Sequence, residues 1–182
     1  MDVVERIIKE AGDLFIKHGI RSITMDDIAR DLGVSKRTIY EHFRDKDELL
    51  KQCILRHKEE QSLMKKAISV ESSNVLEAIY RVMYWFMLSM KNTHPSFISD
   101  VRKYHYRICE DLIKKYQQEN INETRDLIHK GIKDGLFMKE IHVDIVARIL
   151  NVQLKALFDE TQFPPEQFSV PDVFKNIILS FF

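Results

Sequence analysis

Apolar side chains recur every three or four residues along most of this 182-residue chain. The first such stripe runs from Val4 to Phe15, and Gly19 follows it closely. This spacing places the apolar side chains on one face of an α-helix. The sequence nowhere sustains the apolar–polar alternation that a half-buried strand requires. The pattern therefore predicts an all-α fold.

Capping residues mark the starts of the next three helices. Thr24 precedes the segment MDDIARDL, and Asp27 resembles the second half of a capping box. Ser35 caps a short third helix, and Asp45 opens a long fourth one. These residues predict two short helices and then a long helix that runs to about residue 68.

Further helical segments fill the rest of the chain. They are separated by turns near SVESSN, before Pro95, near KGIKDG and at Pro164–Pro165. The predicted helices cover residues 75–90, a segment after Pro95, residues 104–133 as one helix or two abutting ones, residues 143–159 and residues 171–182.

The second and third helices form a helix-turn-helix pattern. Gly33 supplies the tight turn, and the small Ala29 lets the helices cross closely. The apolar seam between them consists of Ile28, Leu32, Val34, Ile39 and Phe43. The polar side chains left on the outer face are Lys36, Arg37, Thr38 and Tyr40. In such a motif the second helix enters the major groove, so the pattern indicates DNA binding.

The stretch TMDDIARDLGVSKRTIYEHFRDKDELL, residues 24–50, resembles the DNA-binding signature of the tetracycline-repressor (TetR) family of bacterial transcriptional regulators. The resemblance is specific because the alanine, the Gly-Val-Ser turn, the Tyr-x-His-Phe run and the following Lys-x-x-Leu-Leu occur together. It covers about the first 50 residues. The GIKDGLF turn, residues 131–137, also resembles the end of the family's seventh helix.

The resemblance implies a DNA-binding domain at residues 1–46 and a helical ligand-binding and dimerisation domain at residues 47–182. It implies a homodimeric repressor that binds a palindromic operator in double-stranded DNA and responds to a ligand through the helix beginning at Asp45. The DNA-binding residues that it implies are Thr24, Lys36, Arg37, Thr38, Tyr40, His42 and Lys46. Packing under the first helix is the alternative for Tyr40, and a plain surface position is the alternative for His42.

Charge and composition narrow the possible partners. The chain has 28 basic and 28 acidic residues, so contact with phosphate must come from a local patch rather than from net charge. No apolar run reaches the roughly 18 residues that span a membrane. The charged N-terminus lacks the apolar core of a signal peptide. We therefore expect a cytoplasmic protein with no membrane partner.

The chain carries no pattern typical of an enzyme. It has no GxSxG motif, no glycine-rich phosphate loop and no Glu-x-x-His pair. Cys53 and Cys109 form neither a CxxC motif nor a disulfide framework. His105 and Cys109 are four residues apart, but two ligands are too few for a metal site. We expect no enzymatic activity, no cofactor and no metal.

The segment at residues 80–90, YRVMYWFMLSM, is rich in methionine and aromatic residues. Methionine adapts to irregular space, so the segment can line a ligand pocket; ordinary core packing is the alternative. The predicted ligand-binding residues are Tyr84, Trp85, Met87, Tyr104, His105 and Tyr106. The expected effector is an unidentified small molecule that is apolar or amphipathic. Shifting the protein from its DNA-bound to its released state needs about 5.5 kcal/mol of preferential binding, which requires a ligand that buries substantial surface.

The last two predicted helices are apolar around more than half of their circumference. A surface helix of a monomer needs only one apolar stripe, so this wider face needs a second partner. The predicted dimer interface contains Ile149, Leu150, Leu157, Phe174, Ile177, Ile178 and Phe181. The apolar end at Phe181–Phe182 also indicates that the natural chain extends further.

Two other functions remain as alternatives. One is a dimeric DNA-binding regulator whose bundle is filled by side chains and takes no ligand. The other is a helical enzyme or carrier that keeps a helix-turn-helix-like start. A cavity in the bundle argues against the first, and sequence-selective DNA binding argues against the second.

Overall fold

A computed structural model of the chain describes residues 2–156, 161–164, 166–169, 172–173 and 175–176, without the side chains of Met87, Lys91, Leu154 and Lys155. Across these residues the regular secondary structure is helical, as predicted, and no strand occurs. The helices are α1 (Val3–His18), α2 (Met25–Leu32), α3 (Lys36–His42), α4 (Lys46–Glu71), α5 (Val75–Lys91), α6 (Ser96–Tyr104), α7 (Tyr106–Lys133) and α8 (Val143–Ala156).

Side-chain caps fix the starts of α2 and α3. The Thr24 hydroxyl accepts the Asp27 amide at 3.1 Å, and the Asp27 carboxylate accepts the Thr24 amide at 2.9 Å. The Ser35 hydroxyl accepts the Thr38 amide at 3.0 Å. Each bond satisfies an amide that the first turn of a helix leaves unpaired, which is typically worth about 1 kcal/mol. The caps predicted at Thr24 and Ser35 are confirmed.

The chain divides into two compact units. The first unit combines Met1–Met64 with Asn92–Leu112, and the second unit combines Lys65–Lys91 with Ile113–Phe182. The first unit therefore extends well beyond the predicted domain at residues 1–46. The physical reason is that α6 packs against α1. The division of function at residue 46 stays a prediction.

An apolar core joins α1, α2, α3 and α4 in the first unit. Its fully buried side chains include Ile7, Phe15, Ile20, Ile28, Ile39, Leu49 and Leu50. Phe97 and Val101 of α6 pack against the same core, and the His94 amide donates to the Ile16 carbonyl at 2.7 Å. Burial also raises the pKa of the Cys53 thiol to about 12, so this cysteine packs as an apolar side chain. The core holds α2 and α3 at a fixed angle.

Polar contacts tie the helices of the second unit together. The Lys65 ammonium donates to the Glu123 carboxylate at 2.8 Å and to the Asn120 side chain at 3.2 Å, which joins α4 to α7. The buried Asn151 of α8 donates to the Thr124 hydroxyl of α7 at 3.4 Å and to the Ala147 carbonyl of its own helix at 2.8 Å. The two bonds of Asn151 satisfy a polar group that would be costly to leave unpaired in the interior.

Only part of the predicted dimer interface can be placed. Ile149 is 44% exposed on α8, and Leu150 is half-buried. The interface residues that lie outside the described residues are Leu157, Phe174, Ile177, Ile178 and Phe181. Most of the predicted helix at 171–182 lies there as well. Among the helices that the structure describes, none combines the length and the apolar character needed to cross a membrane.

Candidate nucleic-acid interface

A few backbone bonds build the turn between α2 and α3. Gly33 adopts the left-handed conformation, with φ 65° and ψ 31°, which favours glycine. The Val34 amide donates to the Ala29 carbonyl at 3.0 Å. From α1, the Arg6 guanidinium donates to the Leu32 carbonyl at 2.5 Å. Together these bonds fix the direction in which α3 leaves the turn.

One face of α3 is buried and the opposite face carries cations. Ile39 is fully buried in the core, whereas the side chains of Arg37 and Lys36 are 89% and 53% exposed. Tyr40 is 45% exposed, and the Lys36 ammonium lies 5.9 Å from the centre of its ring. Tyr40 therefore faces solvent rather than packing under α1. Thr38 is half-buried beside this pair.

Each of the four cations between residues 24 and 45 forms an ion pair with a carboxylate. The pairs are Arg30–Asp27 at 2.7 Å, Lys36–Asp26 at 2.8 Å, Arg37–Glu41 at 3.0 Å and Arg44–Asp45 at 3.0 Å. The hydrogen bond to Asp26 raises the pKa of Lys36, so this ammonium stays charged. Exposed ion pairs of this kind add little stability.

Thr24 and His42 lie at the two ends of the helix-turn-helix and are exposed. The Thr24 hydroxyl also donates to the Asp27 carboxylate at 2.6 Å, and this bond lowers the pKa of Asp27. The hydroxyl thus acts first as a helix cap. Phosphate contacts by these two residues stay predictions.

Lys46 differs from the exposed cations. Its ammonium donates to the Ile20 carbonyl at 2.5 Å and lies 5.6 Å from the centre of the Phe15 ring. Burial lowers the pKa of Lys46. This bond uses one of the three N–H donors of the ammonium, and the geometry favours a role in holding the loop between α1 and α2. A phosphate contact by Lys46 stays a prediction.

Two interactions of this region were not predicted from the sequence. The bond from Arg6 to Leu32 spans 26 residues, and no local motif links the two positions. The ion pair of Arg37 and Glu41 could have been predicted, because residues four apart lie next to each other on a helix.

The predicted ligand-binding residues are divided between the two units. Tyr84 and Trp85 belong to the second unit, the Met87 side chain lies outside the described residues, and the first unit holds Tyr104, His105 and Tyr106. Tyr84 stacks on Tyr80 with ring centres 6.4 Å apart, and His105 bonds to the Asp47 carboxylate at 2.7 Å. Within the described part of the chain, no three potential metal ligands come together. Ligand binding by these residues stays a prediction.

Comparison with known proteins identifies the family. The profile of the bacterial regulatory proteins of the tetR family matches residues 7–53. The HTH-type transcriptional regulator YvaF of Bacillus subtilis is 32% identical over 175 residues, which cover 96% of this chain and 90% of YvaF. The chain belongs to the TetR family. This TetR-family protein is a DNA-binding transcriptional regulator, as its helix-turn-helix predicted.

More distant relatives agree with this assignment. The HTH-type transcriptional repressor KstR2 of Mycobacterium tuberculosis is 23% identical to the TetR-family protein over 150 residues, which cover 79% of this chain and 74% of KstR2. The fatty acid degradation regulator FadR from Bacillus halodurans has a similar solved structure, with a TM-score of 0.72 at 17% identity. That similarity covers 96% of this chain and 91% of FadR and shows the shared fold.

Proposed function

We propose that this regulator is a homodimeric repressor that binds a palindromic operator and leaves it when a small apolar or amphipathic ligand binds. It works in the cytoplasm, where bacterial DNA lies, and has no enzymatic activity. The observation that carries the proposal is the exposed Lys36–Arg37 pair, held on the outer face of a capped α3 whose Ile39 is buried in the core. Residues 1–46 contact DNA, and residues 47–182 bind the ligand and the second subunit.

The contacts divide into two kinds. Arg37, Thr38 and Tyr40 lie on the outer part of α3 and contact base edges, and Lys36 contacts a base edge or a phosphate. Contacts to phosphates position the helix on the duplex, whereas contacts to bases provide the sequence preference. Thr24 and His42, which are exposed at the ends of the motif, add further phosphate contacts.

The chemistry of the ligand is inferred from the relatives and from α5. KstR2 is described as a ketosteroid regulator, and FadR as a regulator of fatty acid degradation, so both are named for lipophilic molecules. In this chain α5 presents Tyr80, Tyr84 and Leu88, each more than 40% exposed, at intervals of four residues. An apolar ligand gains binding free energy by covering such surface, at roughly 25 cal/mol per Å².

The coupling to DNA runs through α4 and α6. The first residues of α4 contact both neighbours: Lys46 bonds to the loop after α1, and Asp47 bonds to His105 between α6 and α7. A displacement of α4 therefore moves the DNA-binding helices. Because two recognition helices must lie about 34–36 Å apart to read two half-sites, a ligand that changes this separation releases the operator.

The DNA interface is tested by removing the two cations of α3. A duplex is first selected from a random-sequence library with the wild-type protein, and its binding is measured against salt concentration. We expect a log–log slope beyond about −3, since each neutralised phosphate contributes about −0.9. Lys36→Ala/Arg37→Ala should weaken binding by at least about 1–3 kcal/mol per half-site. Lys130→Ala/Lys133→Ala, which removes two exposed lysines of α7, is the control. Normal binding by a folded α3 double variant would rule out this interface.

The effector is tested with long-chain fatty acids and ketosteroids. Each compound is screened for thermal stabilisation of the protein, and each hit is then added to the complex with the selected duplex. We expect at least one hit to raise the Tm and release the duplex. Stabilisation without release would show that ligand and DNA binding are not coupled, whereas the absence of any stabilising compound would favour the ligand-free dimeric regulator.

A further inference from the structure

The guanidinium of Arg37 is held from one side only. Its Nε donates to the Oε1 atom of Glu41 at 3.0 Å, one helical turn along α3. The side chain of Arg37 is 89% exposed, and neither Nη amino group has a hydrogen-bond partner within the described part of the chain. The two Nη groups form the end of the guanidinium that can donate to O6 and N7 of a guanine together.

This ion pair is poorly arranged for stabilising the helix. A pair four residues apart stabilises a helix best when the acid precedes the base, and here Arg37 precedes Glu41. The positive end of the helix dipole also disfavours a cation in the first turn, where Arg37 lies. Both residues are largely exposed, at 89% and 55%. Helix stability therefore does not explain why the pair is present.

The charge balance of the DNA-binding region adds a second observation. Residues 1–46 contain nine Lys and Arg residues and nine Asp and Glu residues, so the proposed DNA-binding domain carries no net positive charge. Non-specific binding depends almost entirely on phosphate neutralisation. A segment with this charge binds random DNA weakly unless its few cations are free to reach phosphates, and every cation from residue 24 to residue 45 is paired.

From these observations we propose that Glu41 is a specificity-determining residue, which holds Arg37 in the orientation that reads a guanine and keeps it from phosphates. This inference rests on the proposed function, in which α3 enters the major groove. At the operator, Arg37 keeps its bond to Glu41 and donates to guanine through both Nη groups. On random DNA, Arg37 can reach a phosphate only by leaving Glu41, whose carboxylate then lies unpaired near the phosphate backbone. The ion pair thus lowers non-specific affinity more than operator affinity.

Glu41→Gln tests this role, with Glu60→Gln as the matched control. Glu60 forms an ion pair with Arg56 at the same spacing and in the same order, at 2.8 Å, and its side chain is also 55% exposed. Both variants change the net charge equally, but Glu60 lies on α4 rather than on α3. Each protein is tested against a random-sequence duplex and against the duplex selected by the wild-type protein.

Glu41→Gln should bind the random-sequence duplex a few-fold more tightly per half-site, because the Glu41 carboxylate no longer competes with DNA phosphates for Arg37. Its log–log salt slope on that duplex should steepen by about 0.9 for each phosphate that the freed arginine neutralises. Arg37→Ala should lose the preference for guanine at one position of the selected duplex. Placing 7-deazaguanine at that position removes the N7 acceptor. This replacement should weaken duplex binding by the wild-type protein strongly and binding by Glu41→Gln much less. Glu60→Gln should behave as the wild type in all three measurements.

Three results would overturn the inference. Glu41→Gln could match Glu60→Gln in random-duplex affinity and salt slope. Arg37→Ala could leave the preference for guanine unchanged at every position of the selected duplex. Glu41→Gln could also lose affinity for the selected duplex at a cytosine, which would make Glu41 a base-reading residue itself. In each case Lys36→Ala/Arg37→Ala separates the two proposals: if that variant loses the selected duplex, the proposed interface stands and only the role of Glu41 fails.

Discussion

At the scale of single residues, two cations stabilise the first unit by bonding to backbone carbonyls. Arg6 bonds to the carbonyl of Leu32 at the end of α2, and Lys46 bonds to that of Ile20 after α1. A hydrogen bond from a charged donor is worth about 1.5–3 kcal/mol, more than a neutral one. The two bonds hold the two ends of the segment that carries α2 and so determine where α3 lies.

Lys46→Met should therefore reduce stability more than it changes DNA recognition. The variant keeps the aliphatic length but leaves the buried Ile20 carbonyl without its donor, at an expected cost of about 1–3 kcal/mol. Denaturant unfolding measures this cost, and Lys66→Met, an exposed position on α4, should leave the unfolding free energy unchanged. If stability is unchanged and the log–log salt slope of DNA binding is flatter by about 0.9 per half-site, Lys46 instead contacts a phosphate.

The residues of this site were predictable only where their interactions are local. The caps at Thr24 and Ser35 were predicted because the partner amide lies three residues away. The exposure of Lys36 and Arg37 followed from the seam of apolar residues on the opposite face of α3. The bond of the half-buried Lys46 was not predictable, since its partner lies 26 residues earlier and the bond forms only when α1 and α4 pack.

At the scale of elements, the end of α7 depends on a glycine inside a helix. A Cβ atom on Gly131 would lie 2.1 Å from the Cδ2 atom of Phe137, so the ring occupies the space that a side chain would fill. The amides of Leu136 and Phe137 both donate to the Gly131 carbonyl, at 2.8 Å and 3.1 Å. Gly135 completes the turn with φ 72°. The chain thus turns back and packs the ring directly on the helix.

Gly131→Ala should destabilise the second unit although alanine is the better helix former. The methyl group must displace the Phe137 ring, and such overpacking costs about 1–3 kcal/mol, which exceeds the gain of about 1 kcal/mol in helix propensity. Thermal unfolding measures the change. The control is Gly12→Ala in α1, where the nearest atom, Cβ of Cys53, lies at an ordinary 3.5 Å and stability should stay equal or rise. Equal effects of the two variants would contradict the packing explanation.

The helices themselves were largely predictable from the apolar period and the breakers. The predicted starts at residues 25 and 75 agree with α2 and α5. The segment predicted as one helix or two at residues 104–133 is the single helix α7, and one residue separates it from α6. The single residue between them, His105, bonds to Asp47 of α4. That contact was not predictable from the period of the sequence, because periodicity identifies the buried face of a helix but not its partner.

At the scale of the whole molecule, packing divides the chain differently from its sequence motifs. The motif ends near residue 50, yet Asn92–Leu112 joins the same compact unit as the DNA-binding helices. Phe97 and Val101 supply the apolar contacts that place α6 against the core of this unit. Neither residue carries a recognisable motif, so a boundary based on family resemblance necessarily misses them. As a result, α6 packs in the same unit as the helix-turn-helix.

A dimer is favoured by the apolar surface that α8 leaves uncovered. Ile145, Ile149 and Val152 are 52%, 44% and 64% exposed, and their spacing of four and three residues places them on one face. Contiguous exposed apolar surface on a helix marks an interaction site more often than scattered single residues do. Burying a fully exposed side chain of this kind is worth roughly 1.5–3 kcal/mol, and about half of that remains to be gained at each of these positions. The two-fold contact predicted from the sequence would cover this face.

Ile149→Asp should therefore produce a monomer with weak operator binding. A carboxylate inside the contact would lose its water without gaining a partner, a cost large enough to dissociate the dimer. A monomer presents one α3, so it loses the gain that comes from binding two half-sites at once, and its affinity for the selected duplex should fall to that for a half-site. Light scattering measures the mass. The control is Val70→Asp, which places the same charge at a position already 86% exposed and should leave the dimer intact. An undisturbed dimer of Ile149→Asp would place the interface on another surface of the protein.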